Sequence, residues 1–422
     1  MTRSGSQQSK GAICILRHSS YPAELNVRRE AEALLNDGYQ VHVVCLREKD
    51  QAARENVGGV QVHRLPVGHR RGKISRYLFE YNAFFLLASI HLIRLHLRHR
   101  FRGIQVNTMP DYLVFAALVP RLMGAKVVLH LHEPMPELFD TMFPERRYAW
   151  LRSFIRWSER LSVAFADRVL TVTREMRDNV STRGASPGKI TVIVNVPDDH
   201  LFELDRHAAV VSRANAKRQE ERRRGAFRVL CHGSIEERYG FDVIVRAVAR
   251  LAKDVPGIEF RFMGKGGSLP DVLALAQRLG VKSHVNYLGF VPFETMIEEI
   301  LAAEVTVVPM RRNPYSVLVH TNKMFEYLAL QRPVIASRLD SVAAYFPDSA
   351  ISYFEADDDA DLARRIGEII ADPQKGADLV KTATPLYESY RWSREKQKYL
   401  AVYESLLSAS AQAAKLGNEV GR

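Results

Sequence analysis

The sequence predicts an α/β protein of two domains, each a doubly wound parallel sheet, facing each other across a cleft. Three observations predict it. At 422 residues the chain exceeds one ordinary core, on a scale of about 100–200 residues per domain. Short β-branched runs alternate with helical patterns through the first half, as parallel α/β units require. The alternation lapses over the charged stretch 205–225 and then begins again. The expected boundaries are therefore a disordered N-terminus at 1–10, an N-terminal domain at 11–204, a charged linker at 205–225, a C-terminal domain at 226–391, and a helix at 392–422 packing back toward the first domain.

The first strand is "GAICILRH", followed by a loop and the amphipathic "RREAEALLNDG", which Gly38 closes before the strand "QVHVVCL". "GIQVNT", "KVVLHLHE", "RVLTVT" and "KITVIVN" are further strands, each ending in a polar or proline-containing turn. In the second half "FRVLCHGS", "EFRFMG", "VNYLGFV", "VTVVPM", "PVIAS" and "ISYF" alternate with helices such as "GFDVIVRAVARLAKD". The final helix is expected to start with Ser393 as its N-cap, and the tail beyond it to fray.

Composition narrows the function classes. Hydrophobic residues at 46% and charged residues at 26% describe a globular protein. The start "MTRSGSQQSK" is polar, so no signal peptide is expected. Cys14, Cys45 and Cys231 lie in apolar runs without metal spacing, which predicts buried thiols in a reducing cytoplasm. The formal charge of +12 asks for an anionic partner: nucleic acid, lipid or a phosphorylated substrate. No nucleic-acid-binding module is recognisable, and charge alone is a weak argument for one. Residues 213–225 carry six basic and two acidic side chains and read as a solvated helix or linker.

The segment His69–Arg102 has an apolar centre flanked by Arg70, Arg71, Lys73 and Arg76 on one side and Arg94, Arg98, Arg100 and Arg102 on the other. Only 13 residues between Glu80 and Arg94 lack a charge, too few for a span of about 20. Two readings stay open: a helix lying on an anionic membrane surface, or a buried core helix with solvated ends.

Four strand-end loops in the second half combine into one pocket. "HGSIEERYG" offers Gly233, Ser234 and Arg238, where backbone N–H groups and a guanidinium could hold a diphosphate. "MGKGG" offers Gly264 and Gly266, and "GFVPFETM" offers Val291 and Phe293 to flank a planar base. In "PYSVLVHTNKMFEYL" a helix opens after His320 and Thr321, with Asn322, Lys323 and Glu326 on its first turns. Any one loop is an ordinary turn or a solvated ion pair; four at matching strand ends describe a nucleotide diphosphate pocket. In the first half the loops supply Glu24, Asn26 and Arg28, then Asp111, then His132 and Glu133. His130 and His132 share one side of a strand, which raises zinc, but no cysteine or third histidine stands at ligand spacing and no metal is expected.

These motifs, in this order, resemble the bacterial family 4 (group 1) glycosyltransferases of the GT-B fold, whose two domains are Rossmann-like. The similarity runs from about residue 11 to 407 and rests on "YPAELNVRREAEALLNDGYQVHVVCL", "NTMPDYLVFAALVPRLMGAKVVLHLHEPMPELF", "ADRVLTVTREMRDNV", "KITVIVNVPD", "HGSIEERYGFDVIVRAV", "VNYLGFVPFETM" and "NKMFEYLALQRPVIAS". It is most like members that extend lipid-linked oligosaccharides for surface polysaccharides. The resemblance implies retaining transfer from a nucleotide diphosphate-sugar, UDP- or GDP-linked, held by the C-terminal domain, to an acceptor on the N-terminal one. It implies that Glu326 bonds the ribose hydroxyls, that Lys323 and Arg238 contact the diphosphate, and that His132 orients the transferred sugar. It further implies no protein nucleophile and no required cofactor, the donor's phosphate deprotonating the acceptor.

Two departures qualify it. The family's other glutamate stands eight positions before the second, where this chain has Leu318, so Asn313, Ser316 and His320 become the nearest candidates for donor-sugar contacts. Ser234 and Tyr239 replace the family's usual Arg and Lys after the domain's first strand. A sugar-nucleotide-binding relative that no longer transfers is therefore the competing reading. The expected setting is cytoplasmic, peripheral at the inner face of the plasma membrane.

Overall fold

The computed structural model describes residues 9–68 and 74–420; Arg70, Arg71 and Lys73 of the basic flank, and most of the N-terminus expected to be disordered, lie outside them. The chain divides into two compact units, Met1–Asn195 with Arg394–Arg422, and Val196–Ser393.

The first unit is built on eight strands: β1 (Ala12–Ser20), β2 (Gln40–Leu46), β3 (Arg54–Val57), β4 (Val60–Leu65), β5 (Gly103–Asn107), β6 (Lys126–Leu131), β7 (Arg168–Thr171) and β8 (Ile190–Val192). Their order is β3-β4-β2-β1-β5-β6-β7-β8, parallel except for the β3–β4 hairpin. The hairpin was not anticipated, although Gly58-Gly59 at its turn, both with positive φ, is a two-residue hairpin signal. Strands such as β1 and β6 are nearly continuous apolar runs because helices cover both faces of a parallel sheet.

The second unit carries β9 (Phe227–His232), β10 (Ile258–Met263), β11 (Val285–Tyr287), β12 (Val305–Val308), β13 (Val334–Ser337) and β14 (Ser352–Phe354). Their order is β11-β10-β9-β12-β13-β14, all parallel. The helix Phe241–Leu251 buries Phe241, Ile244, Val245 and Val248 against Phe260, Phe262 and Val305 of the sheet, the apolar stripe expected of a helix on a sheet. All three cysteines are buried free thiols.

The expected linker at 205–225 is corrected. It forms the helix Ala208–Arg223 within the second unit and packs on Phe293–Ala302. Its cations have partners distant in sequence: Lys217 lies 2.6 Å from Glu299, Arg213 2.9 Å from Glu294, and Arg222 pairs with Glu304. Glu299 also meets the fully buried Arg228 at 3.1 Å, so the charged stretch neutralises an acidic helix. The C-terminal helix starts at Trp392, where the Asp199 carboxylate, not Ser393, accepts the Trp392 and Ser393 N–H groups at 3.0 and 2.9 Å. Further along it, Tyr399 and Tyr403 both donate to Gln105 Oε1 in β5, at 2.7 and 2.5 Å.

Candidate functional site

In the second sheet the strand order reverses between β9 and β12, and open α/β sheets bind ligands beyond the strand ends at such a point. β9 ends at His232, and Gly233 follows with φ of 108°. The loop after β10 closes on it, Gly233 N–H donating to Met263 O at 3.0 Å and Ile235 N–H to Lys265 O at 3.0 Å. A Cβ on Gly264 would overlap the Gly233 carbonyl, and one on Gly266 would overlap that of Ile235. These two glycines are therefore required by the approach of one backbone to another, beyond any turn they make.

The helix Asn322–Ala329 points its start at this loop. Thr321 is its N-cap but its side chain caps nothing; its carbonyl accepts the Met324 N–H at 3.3 Å, which leaves the Asn322 and Lys323 N–H groups at the helix start without a side-chain cap. Lys323 is buried, with Nζ 4.8 Å from the Tyr239 ring centre and 5.2 Å from that of Phe241, and it abuts Gly233, where an added Cβ would stand 3.5 Å from Nζ. Arg238 stacks on Tyr239, its guanidinium carbon 4.8 Å from the ring centre, and exposed Ser234 sits beside Gly233. Glu326, one turn into the helix, places Oε2 at 2.7 Å from His232 Nε2. His232 Nδ1 lies 2.8 Å from the Tyr327 hydroxyl, whose pKa burial raises well above its ordinary value, keeping it a proton donor. With the Tyr327 O–H donating to an unprotonated Nδ1, the His232 Nε2–H donates to Glu326. His232 was not among the sequence candidates; its place on the last position of the central strand was the available signal.

Several candidates are turned away from this loop. Asn313 spends its side chain inside its own turn, Oδ1 accepting from Tyr315 N–H at 3.0 Å and Ser316 N–H at 2.9 Å. Ser316 is fully buried and donates to Arg311 O at 2.6 Å, so its hydroxyl reaches no donor sugar. His320 is buried edge-on against Phe325 and Tyr345, and burial lowers its pKa to about 3, leaving a neutral ring in an aromatic cluster. Phe293 packs against Phe202, ring centres 5.4 Å apart, instead of flanking a base; Val291 stays half-buried at the loop.

In the first unit the strand order reverses between β1 and β5. Beside that point lies a buried polar network. Glu30 accepts from Gln105 and Asn107 at 2.7 and 2.9 Å and meets His130 Nδ1 at 2.9 Å. His132 stacks on His130 with ring centres 3.9 Å apart, and its Nε2 lies 3.9 Å from Glu30. Burial works to raise the Glu30 pKa, but His130 and Asn107 bring it below the ordinary value. Burial, with neighbouring His130 and Arg17, holds His132 well below its ordinary pKa and hence neutral. Glu30, His130 and His132 bring potential ligand atoms within 4.8 Å of one another, so Glu30 supplies the third metal-ligand type that spacing along the chain did not reveal.

Asp111 is corrected as an acceptor contact. It is 1% exposed, beside Arg183 and Glu159, and desolvation raises the pKa of both carboxyls. Arg183 bonds Glu159 at 2.7 Å and pairs with Glu137. Arg28 pairs with Glu32 at 2.8 Å on an exposed helix face; Glu24 lies 3.9 Å from Arg17, and Asn26 and Glu133 are half-buried near the ends of β1 and β6. The buried Arg29 donates to Asn195 at 2.7 Å.

Two family models match the chain: a glycosyl transferase 4-like domain over residues 23–195 and glycosyl transferases group 1 over residues 226–372. The chain is built from a glycosyl transferase 4-like domain followed by a group 1 glycosyltransferase domain. A D-inositol 3-phosphate glycosyltransferase of Acidothermus cellulolyticus is 29% identical over 272 residues, which is 61% of this chain and 58% of that protein. An alpha-D-kanosaminyltransferase of Streptomyces kanamyceticus is 23% identical over 64% of this chain and 67% of its own length. The chain thus aligns with little more than half of the first relative's length. Among solved structures, sucrose-phosphate synthase of Thermosynechococcus elongatus superposes with a TM-score of 0.74 at 19% identity, covering 95% of this chain and all of that one. HepE of Anabaena, crystallised with UDP, superposes at 0.67 and 16% identity over 93% of this glycosyltransferase-family chain and all of its own. These likenesses establish the GT-B fold with its two parallel-sheet α/β domains.

Proposed function

We propose that the chain is a retaining glycosyltransferase that moves a sugar from a UDP- or GDP-sugar to an acceptor hydroxyl on a lipid-linked oligosaccharide, working at the inner face of the plasma membrane in surface-polysaccharide synthesis. One observation carries the donor half: the open helix start with Lys323 stands against Gly233 beside the His232–Glu326 pair, at the switch point of the second sheet. Negative charge grows on the departing nucleoside diphosphate as the glycosidic bond breaks. Open N–H groups, Lys323 and Arg238 favour that charge and so lower the barrier. Glu326 takes the ribose hydroxyls, with His232 holding its other oxygen. No protein base is assigned; the donor phosphate accepts the acceptor's proton. His132 orients the transferred sugar on the acceptor side, from its place stacked on His130 beside Glu30.

HepE structures holding UDP and UDP-glucose support UDP as the first donor base to test. The relatives named as a D-inositol 3-phosphate glycosyltransferase and an alpha-D-kanosaminyltransferase leave the lipid-linked acceptor resting on the net charge of +12. Leu318 in the place of the family's other glutamate favours a second reading, a protein that binds sugar nucleotide without transferring it. A thermal-shift panel of UDP, GDP, ADP and TDP, followed by hydrolysis of the matching donors, tests both. A shift with one base and slow hydrolysis is expected. A shift without turnover, even with lipid-linked acceptor, selects the second reading, and no shift with any base overturns both.

A further inference from the structure

The helix Ala149–Phe165 in the first unit has a buried stripe and, beside it, an exposed apolar one. Leu151, Ile155, Ser158 and Ser162 face the protein and are buried. Trp150, Phe154, Trp157 and Leu161 follow the same spacing, each one position earlier, and face outward, Trp150 67% and Trp157 57% exposed. One stripe suffices to hold a helix on a core. The second has no packing role within this unit among the described residues.

The neighbouring helices extend the outward face. The 3-10 segment Asp111–Ala117 touches the helix Ile74–His99 through Phe85 and Tyr112, ring centres 5.8 Å apart, and the helix Ala149–Phe165 through Phe115 and Phe165 at 5.1 Å. The short helix Leu118–Leu122 continues from that segment and lays Arg121 over the Phe165 ring at 4.9 Å. Each flanking helix also exposes large apolar groups: Phe79, Leu86 and Ile90 on one, Leu118 and Leu122 on the other. Helix Ile74–His99 thereby divides its roles, since Phe84, Ala88 and Leu92 are fully buried while its other side stays open. Its buried side fits the core-helix reading left open by the sequence, and its exposed side is the part that bears on the other reading.

Positive charge predominates on this face. Arg94, Arg98, Arg146 and Arg160 are exposed along it. The acids of the two long helices turn inward, Glu80 to Arg76 and Glu159 to Arg183. Asp140 and Glu145 nearby are paired with arginines. Exposed tryptophans with a basic border match the headgroup region of a bilayer, where the indole N–H stays hydrated and the ring meets acyl chain. No helix among the described residues is long and apolar enough to cross a membrane, so the contact would lie in the interface plane.

We infer that the outward faces of helices Ile74–His99, Leu118–Leu122 and Ala149–Phe165 form a docking surface for an anionic lipid bilayer, with Trp150, Phe154 and Trp157 as its inserted ridge. This deepens the proposed membrane setting and rests on it, while the donor site belongs to the other unit.

The chain has three tryptophans, and the third, Trp392, is buried, so intrinsic fluorescence reports the ridge directly. The full chain is mixed with vesicles of phosphatidylglycerol and phosphatidylcholine or of phosphatidylcholine alone. Co-sedimentation with the anionic vesicles, a blue shift and quenching by brominated acyl chains are expected, with binding weakened by salt. The exposed-residue variant Trp150→Ser/Phe154→Ser/Trp157→Ser should lose about tenfold or more in vesicle affinity while keeping its melting temperature and nucleotide-induced shift. Because a Trp150→Ser/Trp157→Ser chain retains only the buried indole, its spectrum should not respond to vesicles. Vesicle binding undiminished in the triple variant, or no blue shift with wild type, overturns the inference. A concentration-dependent dimer that the triple variant abolishes, without vesicle binding, overturns it in favour of a second copy. Loss of the nucleotide shift with vesicle binding intact would instead count against the transferase reading alone.

Discussion

His232 Nε2 lies 2.7 Å from Glu326 Oε2, joining the last residue of the central strand β9 to the first turns of the helix Asn322–Ala329. A carboxylate held at one oxygen keeps the other directed at a diol without losing rotamer entropy on binding. His232→Phe keeps the ring volume and removes this hold. A hydrogen bond to a charged group contributes about 1.5–3 kcal/mol, so donor KM is expected to rise roughly tenfold to a hundredfold with a smaller change in kcat. Steady-state donor kinetics check this, and an unchanged KM would remove the pair from donor binding.

Lys323 is expected to act on phosphate alone. Lys323→Met retains its packing on Tyr239 and Phe241 while deleting the ammonium. Calorimetry should show UDP binding weakened by about tenfold or more and uridine binding unchanged. Equal UDP affinity in variant and parent would defeat the phosphate role.

Gly264 and Gly280 both have positive φ, but only Gly264 has a carbonyl where its Cβ would go. Gly280→Ala should cost only backbone strain, about 1–2 kcal/mol. Gly264→Ala adds a collision with Gly233 and should cost on the order of 3 kcal/mol or more, with loss of the nucleotide-induced shift. Denaturant melts of the two variants give the comparison; equal losses would mean the loops can part without cost.

Asp111 and Glu159 set a pH dependence. Burial raises them from 3.8 and 4.5 to about 7 and about 8, so the folded chain binds more protons than the unfolded one between these limits. Stability from this pair is full below about pH 4 and is lost as pH rises toward 8. Asp111→Asn removes one titration and relieves the other, so the variant should gain melting temperature relative to wild type as pH rises from 5 to about 8. Parallel melting curves across that range would show that the two carboxyls do not carry the effect.

Much of the candidate donor site was legible because its residues are near one another in the chain or punctuate strand ends. Gly233, Gly264, Lys323 and Glu326 each follow a β-branched run or open a helix, and the structure gathers them at one switch point. His232 escaped notice because a histidine closing an apolar strand looks like core until Glu326, 94 positions on, is folded against it. Glu30 is similar: its surroundings in the helix Leu25–Asn36 suggest a surface, and only the stacking of β5 and β6 beneath it delivers Asn107 and His130.

The charged stretch 205–225 shows the limit from the other side. A run of arginines looks solvated when its partners are unseen, and Glu294 and Glu299 come from a later helix and Glu304 from the turn that follows it. The same limit applied to Asp111, polar enough to suggest a ligand contact and yet enclosed with Arg183 and Glu159.

The periodicity of apolar residues and the placing of glycine by themselves determined two α/β domains and the loops that close their strands, because burying a face of a helix or strand is a local demand on sequence. Tertiary structure decided which polar groups are enclosed, which remain open and which stripe of Ala149–Phe165 faces outward. Those outcomes depend on contacts between segments far apart in the chain, and burial sets both the pKa of a group and whether any ligand can reach it.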